Sequence, residues 1–176
     1  MNRFITLLIV FTFAAATLTT TTNAAEYTTS KSKVVSVDPL DLINGRINAT
    51  FENKMSAKNS FTVNASYWSY WDWLSAMGIG GSYRWYIDPF EEGKSALNGL
   101  SLGPRVDMFY WSSNFEYDDP WVTLAIGAEV NYKWAFGDGG KWSVEPTIKF
   151  MFPVVKGKKY TYYTNYGFGV NLGYAF

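Results

Sequence analysis

The segment WVTLAIGAEVNYKWAF, residues 121–136, alternates for sixteen residues. Val122, Leu124, Ile126, Ala128, Val130, Tyr132, Trp134 and Phe136 fall on one face. Thr123, Ala125, Gly127, Glu129, Asn131 and Lys133 fall on the other. A period of two belongs to a β-strand, whose successive side chains point to opposite sides. Strands of soluble domains usually run about 5–6 residues, whereas a tilted strand that crosses a bilayer needs about 9–11. The length of this run therefore limits the chain to folds built from long, two-faced strands.

The same pattern recurs in AMGIGGSYRWYI, LSLGPRVDMFYW, WSVEPTIKFMF and NYGFGVNLGYAF, and in the shorter GRINATFE and SFTVNASYW. KVVSVDPL, near residue 35, completes a set of eight. No stretch after the N-terminal segment shows sustained helical periodicity. NKMSAKN, DPFEEGKSALNG and GDGG read as turns at one end; DPLDLING, SYWDW, SSNFEYDDP and KGKKYTY read as loops at the other. GDGG is the strongest turn signal of the set. The fold expected is all-β, an eight-stranded antiparallel up-and-down transmembrane β-barrel.

Its orientation follows from the polar face. A soluble lipocalin-type barrel turns its apolar face inward, and a membrane barrel turns it outward. Here the polar face is rich in Gly, Ala, Ser and Thr. Glycine weakens a solvent-facing strand but suits a narrow interior. The 8 Trp, 13 Tyr and 13 Phe exceed what a small lumen holds. The expectation is apolar side chains toward lipid and small or charged ones toward the axis. A requirement to pellet with membranes and to need detergent separates this reading from the soluble one.

Residues 1–25 read as a secretory signal: a basic MNR, an apolar run of about 15 residues, and a small polar exit ending at Ala24 or Ala25. The run is short of the ~20 residues of a spanning helix. Residues 26–176 then form one barrel domain. Fifteen basic and fifteen acidic residues balance, so no strong field points to nucleic acid. Cysteine and histidine are both absent. Their absence removes thiolate chemistry, Cys-rich metal sites and the Ser-His-Asp arrangement, and no phosphate loop or zinc spacing is present. We expect no enzyme, no metal and no cofactor. The acidic pair Asp118 and Asp119 reads as a solvated loop.

The inward face collects Arg46, Glu52, Arg84, Arg105, Asp107, Glu129, Lys133, Glu145 and Lys149. Alternating signs in a confined lumen predict a salt-bridge network that plugs the barrel, because isolated charges there are costly. Tryptophans are expected in two lipid-facing girdles: Trp68, Trp71, Trp73, Trp111 and Trp121 at the loop end, and Trp85, Trp134 and Trp142 at the turn end. Pro104 and Pro146 lie inside strands and cannot donate to a ladder. They suggest, as an alternative function, a lateral exit from a small pore or transporter for apolar or ionic solutes.

The last residues, Phe168, Val170, Leu172, Tyr174 and Phe176, resemble the C-terminal signal read by the bacterial outer-membrane assembly machinery. Over residues 26–176 the chain resembles the small eight-stranded outer-membrane barrels of the outer-membrane protein A and X type. VVSVDPLDLINGRINATFE and SYRWYID are closest to a family of uncharacterised outer-membrane barrels, which brings no functional residues with it. The loops are shorter than in many such relatives. The resemblance implies a monomer in the bacterial outer membrane, with a structural or surface-interaction role. Its partners would be membrane lipids, including lipopolysaccharide near Lys156, Lys158 and Lys159, and the assembly machinery.

Overall fold

The computed structural model describes residues 31–70, 74–87, 96–113, 119–156 and 166–176. The signal segment, Trp71, Trp73, Asp118, Lys158 and Lys159 lie outside the described residues, as does the side chain of Lys156. Eight antiparallel strands follow in chain order and close into a barrel. They are β1 (Lys33–Val37), β2 (Arg46–Lys54), β3 (Asn59–Tyr70), β4 (Leu74–Ile87), β5 (Gly99–Ser113), β6 (Trp121–Phe136), β7 (Trp142–Lys156) and β8 (Tyr166–Ala175). One short helix, α1 (Pro39–Ile43), joins β1 to β2.

Each strand pairs with its chain neighbours, and β8 returns to β1 through Val34↔Ala175 to Val37↔Leu172. Lys33 and Phe176 exchange both backbone hydrogen bonds at 3.2 and 2.9 Å, which ties the first strand to the end of the chain. Closure removes the free edges that an open sheet would expose. Turn residues 55–58 and 137–141 lie at this same end, called the turn end below; α1 lies at the loop end.

The alternation sorts the side chains as a membrane barrel would. Ile79, Val106, Met108, Ile126, Phe150, Phe152 and Phe168 are exposed on the outer surface. Glu52, Arg84, Arg105, Asp107, Glu129, Lys133 and Glu145 are buried on the inner one. Eight strands leave a bore just wide enough for side chains to fill, so inward positions must be small wherever a neighbour is long. Gly80 shows this: a Cβ there would overlap the Asp107 carboxylate and press on Asn64.

Three expectations need correction. KVVSVDPL is not a strand throughout, because β1 ends at Val37 and Pro39 opens α1. Asp38 caps that helix by accepting from the amides of Leu40 and Asp41, while Pro39 supplies a fixed φ where no N–H is needed. DPLDLING is therefore not a plain outer loop. Its helix packs against both β2 and β8. The third correction concerns the loop-end girdle. Trp111 and Trp121 are buried inside, 1% and 8% exposed, and half-buried Trp68 packs against them. Their positions share parity with Asp107 and Thr123, so the alternation itself turns them inward. Trp85, Trp134 and Trp142 do face outward, and Trp142 meets Tyr174 edge-on across β7 and β8 at 5.1 Å.

Pro104 and Pro146 interrupt ladders without changing register. Opposite Pro104, the β4–β5 pairs pass from Ser82↔Arg105 to Trp85↔Leu102. Beside Pro146, the β6–β7 pairs pass from Asn131↔Thr147 to Trp134↔Val144. Pro153 sits at the one irregularity of the β6–β7 register, between Leu124 and Ala125.

Candidate functional site

The lumen has three levels, set by how far each inward residue lies along its strand. Near the turn end, β4 brings in Arg84, β2 Glu52, β6 Lys133 and β7 Glu145. Arg84 Nη1 donates to Glu52 Oε2 at 2.9 Å and to Glu145 Oε2 at 3.2 Å. Lys133 Nζ donates to Glu52 and, at 2.9 Å, to Glu145 Oε2. The remaining lone pairs are also used. Ser60 and Tyr86 donate to Glu52 Oε1 at 2.5 and 2.6 Å, and Asn171 donates to Glu145 Oε1 at 3.2 Å.

One level up, Glu129 is the hub. Its Oε1 accepts from Arg84 Nε at 2.6 Å, Ser82 Oγ at 2.7 Å and Asn131 Nδ2 at 3.2 Å. Its Oε2 accepts from Arg105 Nη1 at 2.8 Å. Arg105 also grips Asp107 with two bonds of 2.9 Å and Asn64 with one of 2.7 Å. Three cations and four anions are thus joined into one array, almost wholly removed from solvent. Buried charges persist only when paired and hydrogen-bonded in this way. Pro104 and Pro146 each adjoin a member of the array, Arg105 and Glu145.

The third level is built differently. Arg46 is separate from the array: its Nε lies 3.5 Å from Asp41 of α1, and its guanidinium sits 5.7 Å over the Phe109 ring. Lys149 is separate as well. Its cross-strand neighbour is Glu129, whose two oxygens are already taken by Arg84 and Arg105. Among the described residues Lys149 has no hydrogen bond or ion pair. The expected nine-residue network is therefore seven residues, with Arg46 and Lys149 outside it. Both border a cavity of about 250 Å³, whose wall includes Asp38, Asp41, Trp68, Phe109, Met151 and Gly167. Above it, Trp111 stacks on Trp121 with centroids 5.9 Å apart and planes 6° from parallel. Trp111 Nε1 donates to Thr123 Oγ1 at 3.2 Å. Leu74, Ala76 and Phe109 complete this aromatic roof.

Several contributors escaped the sequence reading. Tyr86, Asn64, Asn131 and Asn171 had inward parity but no charge to draw notice. Asp38 and Asp41 lay in a stretch read as strand end and loop. Their roles depend on α1, five residues long and too short to show periodicity. Phe168, Leu172, Tyr174 and Phe176 of the expected assembly signal are exposed on the outer face of β8, with Val170 partly covered.

No family model matches the chain, and neither the curated proteins nor the solved structures contain a match to it.

Proposed function

We propose that the chain is an integral bacterial outer-membrane barrel that acts as a plugged scaffold or surface-interaction protein and catalyses no reaction. One observation carries this reading: the closed barrel wears its apolar side chains outside and its ion pairs inside. Only closed barrels and helices satisfy every backbone group in hydrocarbon, and an outward apolar band is what lipid requires. An exposed band including Ile79, Val106, Ile126, Phe150 and Phe168 would aggregate in water. In this reading Trp85, Trp134, Trp142 and Tyr174 anchor the periplasmic interface, and Phe176 ends the signal for assembly. The partners are outer-membrane lipids, lipopolysaccharide among them, and the protein acts as a monomer.

The plug gives the reading its test. Purified protein inserted into planar bilayers should give no steady single-channel current, since the array leaves no continuous bore. Steady ohmic steps would favour the pore reading instead. Extraction of the expressed chain from membranes by alkaline carbonate, without detergent, would overturn the membrane assignment.

A further inference from the structure

β1 is short, and the barrel wall bears the consequence. Its last β8 pair is Val37↔Leu172, so Tyr166–Asn171 of β8 keep β7 on one side and have no strand on the β1 side. On the other flank, β2 extends past β1 by Arg46–Asn48. The helix α1 stands in this gap. Asp38, 2% exposed, binds the gap's β8 edge by accepting from the Val170 amide. Its carboxylate comes so close to Gly169 that a Cβ there would collide with it. Asp41 binds the β2 edge by accepting from Asn48 Nδ2 at 3.1 Å. Leu42 and Ile43 point outward, 55% and 39% exposed. The strap holds the wall with side chains rather than with a ladder.

The 250 Å³ cavity lies directly behind this strap, and Tyr166 and Phe168 help to line it although both are largely exposed on the outer surface. A residue that faces outward and also borders the cavity marks a mouth in the wall, between α1 and β8. The acids around the cavity are all engaged. Asp107 is held by Arg105, Asp41 by Asn48 and Arg46, and Asp38 by backbone amides. Two cations facing the space are left weakly paired among the described residues: the Lys149 ammonium has no ion pair, and Arg46 Nε, buried and making no hydrogen bond, has only the 3.5 Å ion pair to Asp41. The site therefore calls for an acceptor, and for an anionic one. Pockets that enclose a whole drug-sized molecule run about 300–1,000 Å³. This cavity is smaller, so it takes a headgroup and not a complete ligand.

We propose that the cavity behind α1 binds the anionic headgroup, carboxylate or phosphate, of a long-chain amphiphile that enters sideways between α1 and β8. Lys149 contacts the headgroup and Arg46 supports it. The chain extends out past Leu42, Ile43, Tyr166 and Phe168 into the surrounding lipid. The route of the tail rests on the membrane reading above; capture of the headgroup does not.

The test is native mass spectrometry of the detergent-solubilised barrel with four additives in turn: palmitate, dodecyl phosphate, hexadecanol and a hexadecyltrimethylammonium salt. One palmitate or one dodecyl phosphate should be retained per barrel, and which of the two binds more tightly identifies the source of the anion. The neutral and cationic chains should be lost. Lys149→Met should weaken retention about tenfold or more, the scale of a lost charged hydrogen bond, while Lys149→Arg should stay within about threefold. Gly167→Val is a second probe that leaves every charge in place. A Cβ at Gly167 meets nothing nearer than Lys149 Cβ at 3.9 Å, so the added methyls enter the cavity and should also reduce binding. Equal retention of hexadecanol, or undiminished palmitate and phosphate binding by both Lys149→Met and Gly167→Val, would overturn the proposal. So would acetate or inorganic phosphate binding as tightly as the long-chain anions. Liposome flotation of the same preparations keeps the two readings apart: a barrel that floats yet binds no anionic chain loses the site and keeps the membrane.

Discussion

Arg84 and Lys149 are both cations on inward positions, and they have opposite surroundings. Arg84 meets Glu52, Glu129 and Glu145 within 3.2 Å. Lys149, facing the cavity, has no such partner among the described residues. The carboxylates of the turn-end half are saturated, with each oxygen of Glu52, Glu129 and Glu145 accepting at least one bond. The loop-end half keeps an open space and unsatisfied donors. The walls differ in the same way. Around the array, strand pairs with strand on both sides; around the cavity, a five-residue helix replaces a strand. The comparison teaches that one barrel can spend its charges on rigidity at one end and hold them in reserve at the other.

The largest effect should come from breaking the saturated half. Arg84→Met strips one partner from three buried carboxylates, and breaking such a pair costs about 3–5 kcal/mol. Urea unfolding in detergent, followed by the gel shift between folded and boiled protein, should show the midpoint falling sharply. A midpoint near wild type would mean the array is not buried as described. Next comes the outer surface at mid-height. Ile126→Arg should cost about 2–4 kcal/mol in lipid vesicles and much less in a water-exposed barrel.

The strap should respond less. Asp38→Ala removes the cap of α1, worth about 0.5–2 kcal/mol, together with the bond from Val170. Faster amide exchange confined to residues 39–43 and 166–171, with the rest of the barrel protected, is the expected pattern. Exchange spreading through β4 and β5 would show that the strap is not a separate unit. The smallest effect is expected at Lys149→Met. No ion pair is lost there and a partly exposed charge beside the cavity is removed, so unfolding should shift by about 1 kcal/mol or less, in either direction. A loss as large as that of Arg84→Met would erase the contrast between the two halves.

The alternation made the strands and their faces legible, because parity alone assigns Ile126 outward and Glu129 inward. It also assigned Trp111 and Trp121 inward, yet their residue type suggested a lipid interface, and here parity was the better guide. Indole groups inside a narrow bore are stable when they stack, as these two do. What the sequence could not show is which charge meets which. Lys149 sits opposite Glu129 in register, but Glu129 is claimed by two arginines from β4 and β5. That competition is set by side-chain reach in three dimensions, beyond any spacing rule. The strap was hidden for a similar reason, since its meaning comes from the gap that a short β1 leaves.

The central claim concerns which face meets lipid, and the chain lends itself to a direct measurement because it contains no cysteine. Single cysteines at Ile126, Val130, Ala125 and Asn131, spin-labelled in liposomes, report oxygen and nickel-chelate accessibility by electron paramagnetic resonance. The account predicts high oxygen and low nickel-chelate access at positions 126 and 130, and little of either at 125 and 131. High nickel-chelate access at 126 and 130, the mark of a water-facing surface, would contradict it.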